Sequence, residues 1–278
     1  MKICRYIFEN DEKYGIIKNN YIWNFLPEQL YENFDDNSLN PNNKIKFDPN
    51  ILLAPVKKPS KIICLGLNYI DHAQETAMQL PNKPMLFSKA STSIIGPNED
   101  IIIPKIKIKD KYTPIKFTDY EAELAVIIGK KTKKVEPEEV KNGDYILGYS
   151  ILNDVSARVE QRADKQFFRG KSFDTFAPIG PWIISPDKVG DPMNLKIQSL
   201  VNNEIRQDSN TSNMNFNVFE IVSFISEGIS LLPGDVIGTG TPAGVGVAMN
   251  PPISLKASDI VEIKIEKIGS LVNNVRIN

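Results

Sequence analysis

The stretch FTDYEAELAVIIG, residues 117–129, has the composition of a buried β-strand yet carries two glutamates. Every other residue from Ala122 to Ile128 is apolar. Side chains alternate across a strand, so Glu121 and Glu123 share one face while Ala122, Leu124, Val126 and Ile128 share the other. Two carboxylates two residues apart repel each other and cost desolvation energy when buried. Either the glutamate face is solvated and pairs with some of the many lysines, or something positive sits between the two carboxylates.

Around this strand the chain reads as predominantly β with α elements, an α+β architecture. Apolar runs predict strands at 61–65, 101–103, 120–128, 145–152, 181–184, 195–201, 235–238 and 260–266. Helices are predicted at about 154–164 and 217–229, and no regular βαβ alternation or internal repeat is present. Residues 1–57 read as a small N-terminal domain with a hairpin and an Asn-rich, loop-forming stretch, ENFDDNSLNPNNK. Residues 58–278 form the main body, opened by the Pro-flanked linker in APVKKPSKIICLGLNY.

Composition removes several function classes. The 278 residues are 41% hydrophobic and 24% charged, as in ordinary soluble domains. No apolar run approaches the roughly 20 residues that span a bilayer, and the first fifteen residues lack a signal-peptide pattern. With 33 basic and 34 acidic residues, the net charge of −1 gives no reason to expect nucleic acid or a membrane as partner. Two cysteines exclude a disulfide scaffold and point to a reducing cytoplasm. A single histidine excludes zinc and iron sites that need several His or Cys ligands. Any metal here is held by oxygen, which favours Mg²⁺, Mn²⁺ or Ca²⁺.

Several short motifs carry chemistry. Asp154, in YILGYSILNDVSARVEQR, follows an apolar strand and adds a third carboxylate at a strand end. His72 and Glu75, in GLNYIDHAQE, lie on one face at helical spacing, where a carboxylate orients an imidazole. Gly-Lys-Ser at 170–172 is not a phosphate loop, because Lys165 stands where that pattern requires glycine. Lys171 is therefore either a surface lysine or a fixed cation between aromatic residues, able to stabilise an enolate. In PGDVIGTGTPAGVG (233–246) the small residues let backbone N–H groups approach an anion. The Lys-rich KIKIKDKYTPIK (105–116) reads as a solvated strand or loop, and Lys105, Lys107 and Lys109 offer charge for a second substrate carboxylate.

Taken with PMLFSKASTSIIGP, FRGKSFDTFAPIGPW and VNNEIRQ, these motifs in this order resemble the fumarylacetoacetate hydrolase family over about residues 58–265. The run Asp-Thr-Phe-Ala-Pro-Ile-Gly-Pro particularly resembles small members acting on 2-oxo and 2-hydroxydienoic acids, such as 2-hydroxyhepta-2,4-diene-1,7-dioate isomerases and acylpyruvate hydrolases. The resemblance implies a mixed β-roll with a small N-terminal domain, a homodimer, and Mg²⁺ or Mn²⁺ on Glu121, Glu123 and Asp154. It implies His72 and Glu75 as a proton-moving or water-activating dyad and Lys171 as the enolate-stabilising cation. Arg158, Gln161 and Thr241 match its substrate contacts, although Val159 replaces an acidic residue usual in that segment. The implied substrate is a small 2-oxo acid, which reacts by isomerisation, decarboxylation or C–C hydrolysis. Sugar-acid hydrolysis and oxaloacetate decarboxylation remain open at this point, as does a non-catalytic protein with a structural metal.

Overall fold

The computed structural model describes residues 1–25 and 43–278; most of the Asn-rich stretch expected to be a loop lies outside the described residues. The strand Ala122–Ile128 sits inside the largest sheet and is buried along its whole length. That sheet runs in the order Lys44–Lys46, Tyr21–Phe25, Asp11–Lys18, Lys2–Phe8, Ala177–Ile184, Ile146–Asn153, Ala122–Ile128, Val236–Gly238, Ile62–Gly66 and Met85–Lys89. Along this order neighbours are antiparallel except where Val236–Gly238 runs parallel to Ile62–Gly66, and a side strand, Ile94–Ile95, joins Ala177–Ile184 in parallel. A second, five-stranded sheet orders Glu204–Asn210, Lys196–Val201, Ile260–Ile265, Gly269–Ile277 and Ile101–Ile103.

Alternation along Ala122–Ile128 separates two cores. Ala122, Leu124, Val126 and Ile128 pack with the helix Val218–Gly228 through Val218, Ile221, Val222 and Ile225. Ala125 and Ile127 pack with Ile62, Leu152 and Ile179 on the opposite side. The helix starts where its sequence dictates: Asn217 accepts from the N–H groups of Phe219 and Glu220, and Glu220 returns a bond to the Asn217 N–H. Glu123 is buried and Glu121 nearly so, so the solvated-face alternative is wrong.

Two boundaries differ from the sequence reading. The helix expected from 154 begins at Arg158, because Ser156–Ala157 pairs with Thr118–Asp119 and Arg158 N–H donates to the Phe117 carbonyl. The strand expected at 181–184 begins at Ala177, paired in parallel with Ile94–Ile95. The Lys-rich segment is an exposed hairpin, Lys105–Ile108 with Lys111–Pro114, as expected of a solvated strand. Among the described residues, no helix is long and apolar enough to cross a membrane.

Candidate active site

Ala122 opposite Asn153 brings the start of one central strand beside the end of the next. Glu121 and Asp154 flank that pair, and the Asp154 N–H donates to the Glu121 carbonyl. Glu123, one pleat further in, is 0% exposed, as is Asp154. The three predicted carboxylates therefore converge at one end of the sheet.

Their partners differ sharply. Glu121 Oε2 and Asp154 Oδ2 each lie 2.6 Å from Lys171 Nζ. Asp154 Oδ1 lies 2.5 Å from Lys89 Nζ, which also donates to the Val155 carbonyl. Glu121 Oε1 lies 2.6 Å from Arg158, whose Nε donates to Asp119 at 2.9 Å. Among the described residues Glu123 has no such partner: both of its oxygens are buried and neither completes a hydrogen bond. Burial, reinforced by Asp154 and Glu121, pushes its carboxyl well above the usual carboxylate range, against smaller pulls from the Lys171 charge and then the Gly240 N–H. Burial acts upward on Glu121 too, but Lys171 and Arg158 outweigh it and hold that carboxyl low. Burial depresses Lys171, and Asp154 and Glu121 reverse the sign.

Four buried carboxylates, Asp119, Glu121, Glu123 and Asp154, face three buried cations, Lys89, Arg158 and Lys171. Glu123 is the acid left over. The Cys64 thiol, an oxygen of Glu123 and an oxygen of Asp154 all lie within 4.8 Å of one another. Burial, then the charges of Asp154 and Glu123, raises the Cys64 thiol far above its ordinary value, so it stands here as a neutral neighbour. The available donors are hard oxygens, and the orphaned Glu123 carboxylate fits a hard divalent cation. Space for that carboxylate is built in: a Cβ on Gly238 would lie 2.4 Å from Glu123 Oε2.

A cleft opens above this cluster, lined by His72, Glu121, Arg158, Gln161, Lys171 and Thr241 among the predicted residues. Its other wall is apolar, with Phe87, Phe167, Met78 and Met85. Lys171 lies 5.2 Å from the Phe87 ring, which meets Phe167 edge-on at 5.3 Å. Glycine in the Gly-Lys-Ser stretch serves packing: a Cβ on Gly170 would approach Gln161 N to 2.8 Å. That contact locks the helix Phe167–Lys171 against Arg158–Asp164 and sets Lys171 beneath the cleft.

His72 and Glu75 do share a face of the helix Ile70–Glu75, with Nδ1 3.1 Å from Oε2. The other Glu75 oxygen accepts the Gly244 N–H at 2.8 Å. The Gly-rich loop thus does meet anions, and they are the chain's own: Gly246 and Val247 N–H groups donate to Asp119. Thr241 Oγ1 accepts from Gln207 Nε2 at 2.7 Å, which leaves its own O–H for a ligand in the cleft. Asp119, Lys89, Cys64 and Gln207 were not singled out in the sequence. Asp119 had a signal, being two residues before Glu121 on the same face. Lys105, Lys107 and Lys109, offered for a second substrate carboxylate, do not line the cleft.

A family model for the fumarylacetoacetate (FAA) hydrolase C-terminal region matches residues 61–276. The mitochondrial oxaloacetate tautomerase Fahd2a of Rattus norvegicus is 45% identical over 224 residues, covering 80% of this chain and 68% of that protein. The fold is similar to 5-carboxymethyl-2-hydroxymuconate delta-isomerase from Mycobacterium smegmatis, at 33% identity and a TM-score of 0.82 with both chains fully covered. It is also similar to fumarylacetoacetate hydrolase from psychrophilic Exiguobacterium antarcticum, at 36% identity and a TM-score of 0.86, again over the whole of both chains. With this buried cluster and a match across most of its length, the chain belongs to the fumarylacetoacetate hydrolase family, whose enzymes act on small molecules and generally use a divalent metal.

Proposed function

We propose that this protein is a divalent-metal-dependent enzyme that moves a proton at C3 of a small 2-oxo acid, interconverting its keto and enol forms. The orphaned Glu123 carboxylate carries the metal part of this reading. The oxaloacetate tautomerase and hydroxymuconate isomerase relatives support the proton-transfer part. A divalent cation on Glu121, Glu123 and Asp154, Mg²⁺ or Mn²⁺, would supply a Lewis acid for the oxygens of a 2-oxo acid. The rest is done by the chain. Arg158, Gln161 and Thr241 hold the substrate carboxylate in the cleft. With Nδ1–H donating to Glu75, His72 keeps Nε2 unprotonated and takes the C3 proton. The C3–H electron pair becomes the C2–C3 double bond, and the charge gathers on the 2-oxo oxygen near Lys171. That oxygen then takes the proton back from His72 Nε2, which gives the enol and returns the imidazole to its starting form. Phe87, Phe167 and Met85 wall the cleft with apolar surface and keep it poor in water.

The same reading takes a homodimer as the assembled form and a reducing cytoplasm as the setting for two free thiols. It also takes residues 1–57 as an N-terminal unit, none of whose described residues lines the cleft.

The test follows the enol absorbance of oxaloacetate with Mg²⁺ or Mn²⁺ and again after chelation. Equilibration faster than in metal and buffer alone, lost on chelation and regained with metal, is expected. A rate no faster than that control, or one unmoved by chelation, overturns the proposal. C–C cleavage is the second reading, favoured by the hydrolase neighbour and by a dyad equally able to activate water. Pyruvate release from acylpyruvates at a higher kcat/KM would assign it. In either case His72→Gln lowers kcat by about 10²–10⁴-fold. Calorimetric Mg²⁺ affinity stays at the wild-type value, which separates a proton-moving role from a structural one.

A further inference from the structure

Lys171 Nζ lies 2.6 Å from an oxygen of Glu121 and 2.6 Å from an oxygen of Asp154. Lys89 Nζ lies 2.5 Å from the other Asp154 oxygen. These are two of the three carboxylates that the metal-dependent reading assigns to the cation, and the following inference rests on that reading. We propose that Lys171, with a smaller share from Lys89, holds down the divalent-cation affinity of the Glu121–Glu123–Asp154 cluster.

The effect is electrostatic. Lys171 is 2% exposed and Lys89 is 3% exposed, so water screens neither charge. A cation on these carboxylates stands among fixed like charges that also compete for the same oxygen lone pairs. A site built for tight metal retention would surround three carboxylates with neutral donors instead. Affinity given up this way returns when an anionic ligand enters, because its charge offsets the metal and Lys171 together. The two lysines have separate supports. Lys171 sits on a short helix at the cleft, on two carboxylates, whereas Lys89 lies on the edge strand Met85–Lys89 and is also tied to the Val155 carbonyl. Lys171 therefore carries the larger effect.

The test compares Mg²⁺ and Mn²⁺ binding by calorimetry, and melting temperature with and without metal, for the wild type, Lys171→Met and Lys89→Met. Methionine keeps most of the volume and removes the charge. The expected Kd of Lys171→Met is tighter by about tenfold or more. Its metal-free melting temperature falls, and Mg²⁺ raises it by more than in the wild type. Lys89→Met moves in the same direction by less. Equal or weaker Mg²⁺ binding by folded Lys171→Met overturns the proposal and leaves the metal-dependent reading standing. A wild type that binds neither ion overturns that reading and the inference with it. A Lys171→Met chain that folds only with Mg²⁺ supports the proposal. One that folds in neither condition passes the decision to Lys89→Met, where equal or weaker binding overturns it.

Discussion

Glu123→Gln is expected to lose metal binding and activity by about a hundredfold or more while the metal-free protein melts within about 3 °C of the wild type. This combination follows from the partners of Glu123. Its carboxylate is 0% exposed and pairs with no cation among the described residues, while Asp154 and Glu121 repel its charge. Without a metal the carboxyl is driven to its neutral form by burial first and by those two charges next. An amide of the same shape replaces a neutral acid at little cost. Adding metal reverses the balance, since only the ionised acid offers the charge that a dication needs. Calorimetry with Mg²⁺, kcat/KM and thermal melts of the chelated protein measure the three quantities. A drop of more than about 10 °C in the chelated melt would show Glu123 to be structural and would remove the main support for a catalytic metal.

Much of this cluster was legible because it follows strand alternation, the most regular feature of a sequence. Glu121 and Glu123 stand out as the only polar residues in an apolar strand, and Asp154 as the residue that ends its neighbour. His72 and Glu75 were readable from helical spacing, and one face of a real helix carries both. What stayed hidden depends on contacts between distant segments. Lys89 meets Asp154 across 65 residues, and Cys64 arrives on a strand that reaches the site through Val236–Gly238. The need for glycine at 238 arises because the side chains of Glu123, Leu152 and Cys64 all crowd against it. The unrecognised strand Gly269–Ile277 has a similar cause. Leu271, Asn273 and Val275 all point inward, and the polar one breaks the pattern. Its amide is spent on the carbonyls of Gly96 and Glu99, so the burial is satisfied in a way composition does not reveal. Gly-Lys-Ser shows the opposite risk. The tripeptide looks like part of a phosphate loop, a reading its spacing already rules out, and in the fold its glycine is required by the approach of two helices while its lysine is paired with two acids.

Asp154→Asn should behave in the opposite way to Glu123→Gln, although the two carboxylates are neighbours. Both Asp154 oxygens are engaged, one by Lys89 and one by Lys171, and the side chain is 0% exposed. Removing one partner of a buried ion pair leaves the other charge uncompensated, which costs about 3–5 kcal/mol. Here one substitution strips two ammoniums, and an asparagine carbonyl can accept from only one of them without the attraction of a full charge. Lys171 retains Glu121, so the damage centres on Lys89, whose remaining acceptor is the Val155 carbonyl. The melting temperature of the chelated protein should fall by about 10 °C. Added Mg²⁺ should not restore it, because the missing carboxylate is also one of the three that would hold the ion. A second substitution decides the cause. Lys89→Met in the Asp154→Asn background removes the stranded ammonium and should recover a large part of the lost stability while leaving the protein inactive. No recovery in the double variant would show that the cost lies elsewhere, in the joint between the strand Ile146–Asn153 and the Ser156–Ala157 bridge, and would separate the charge of Asp154 from its place in the fold.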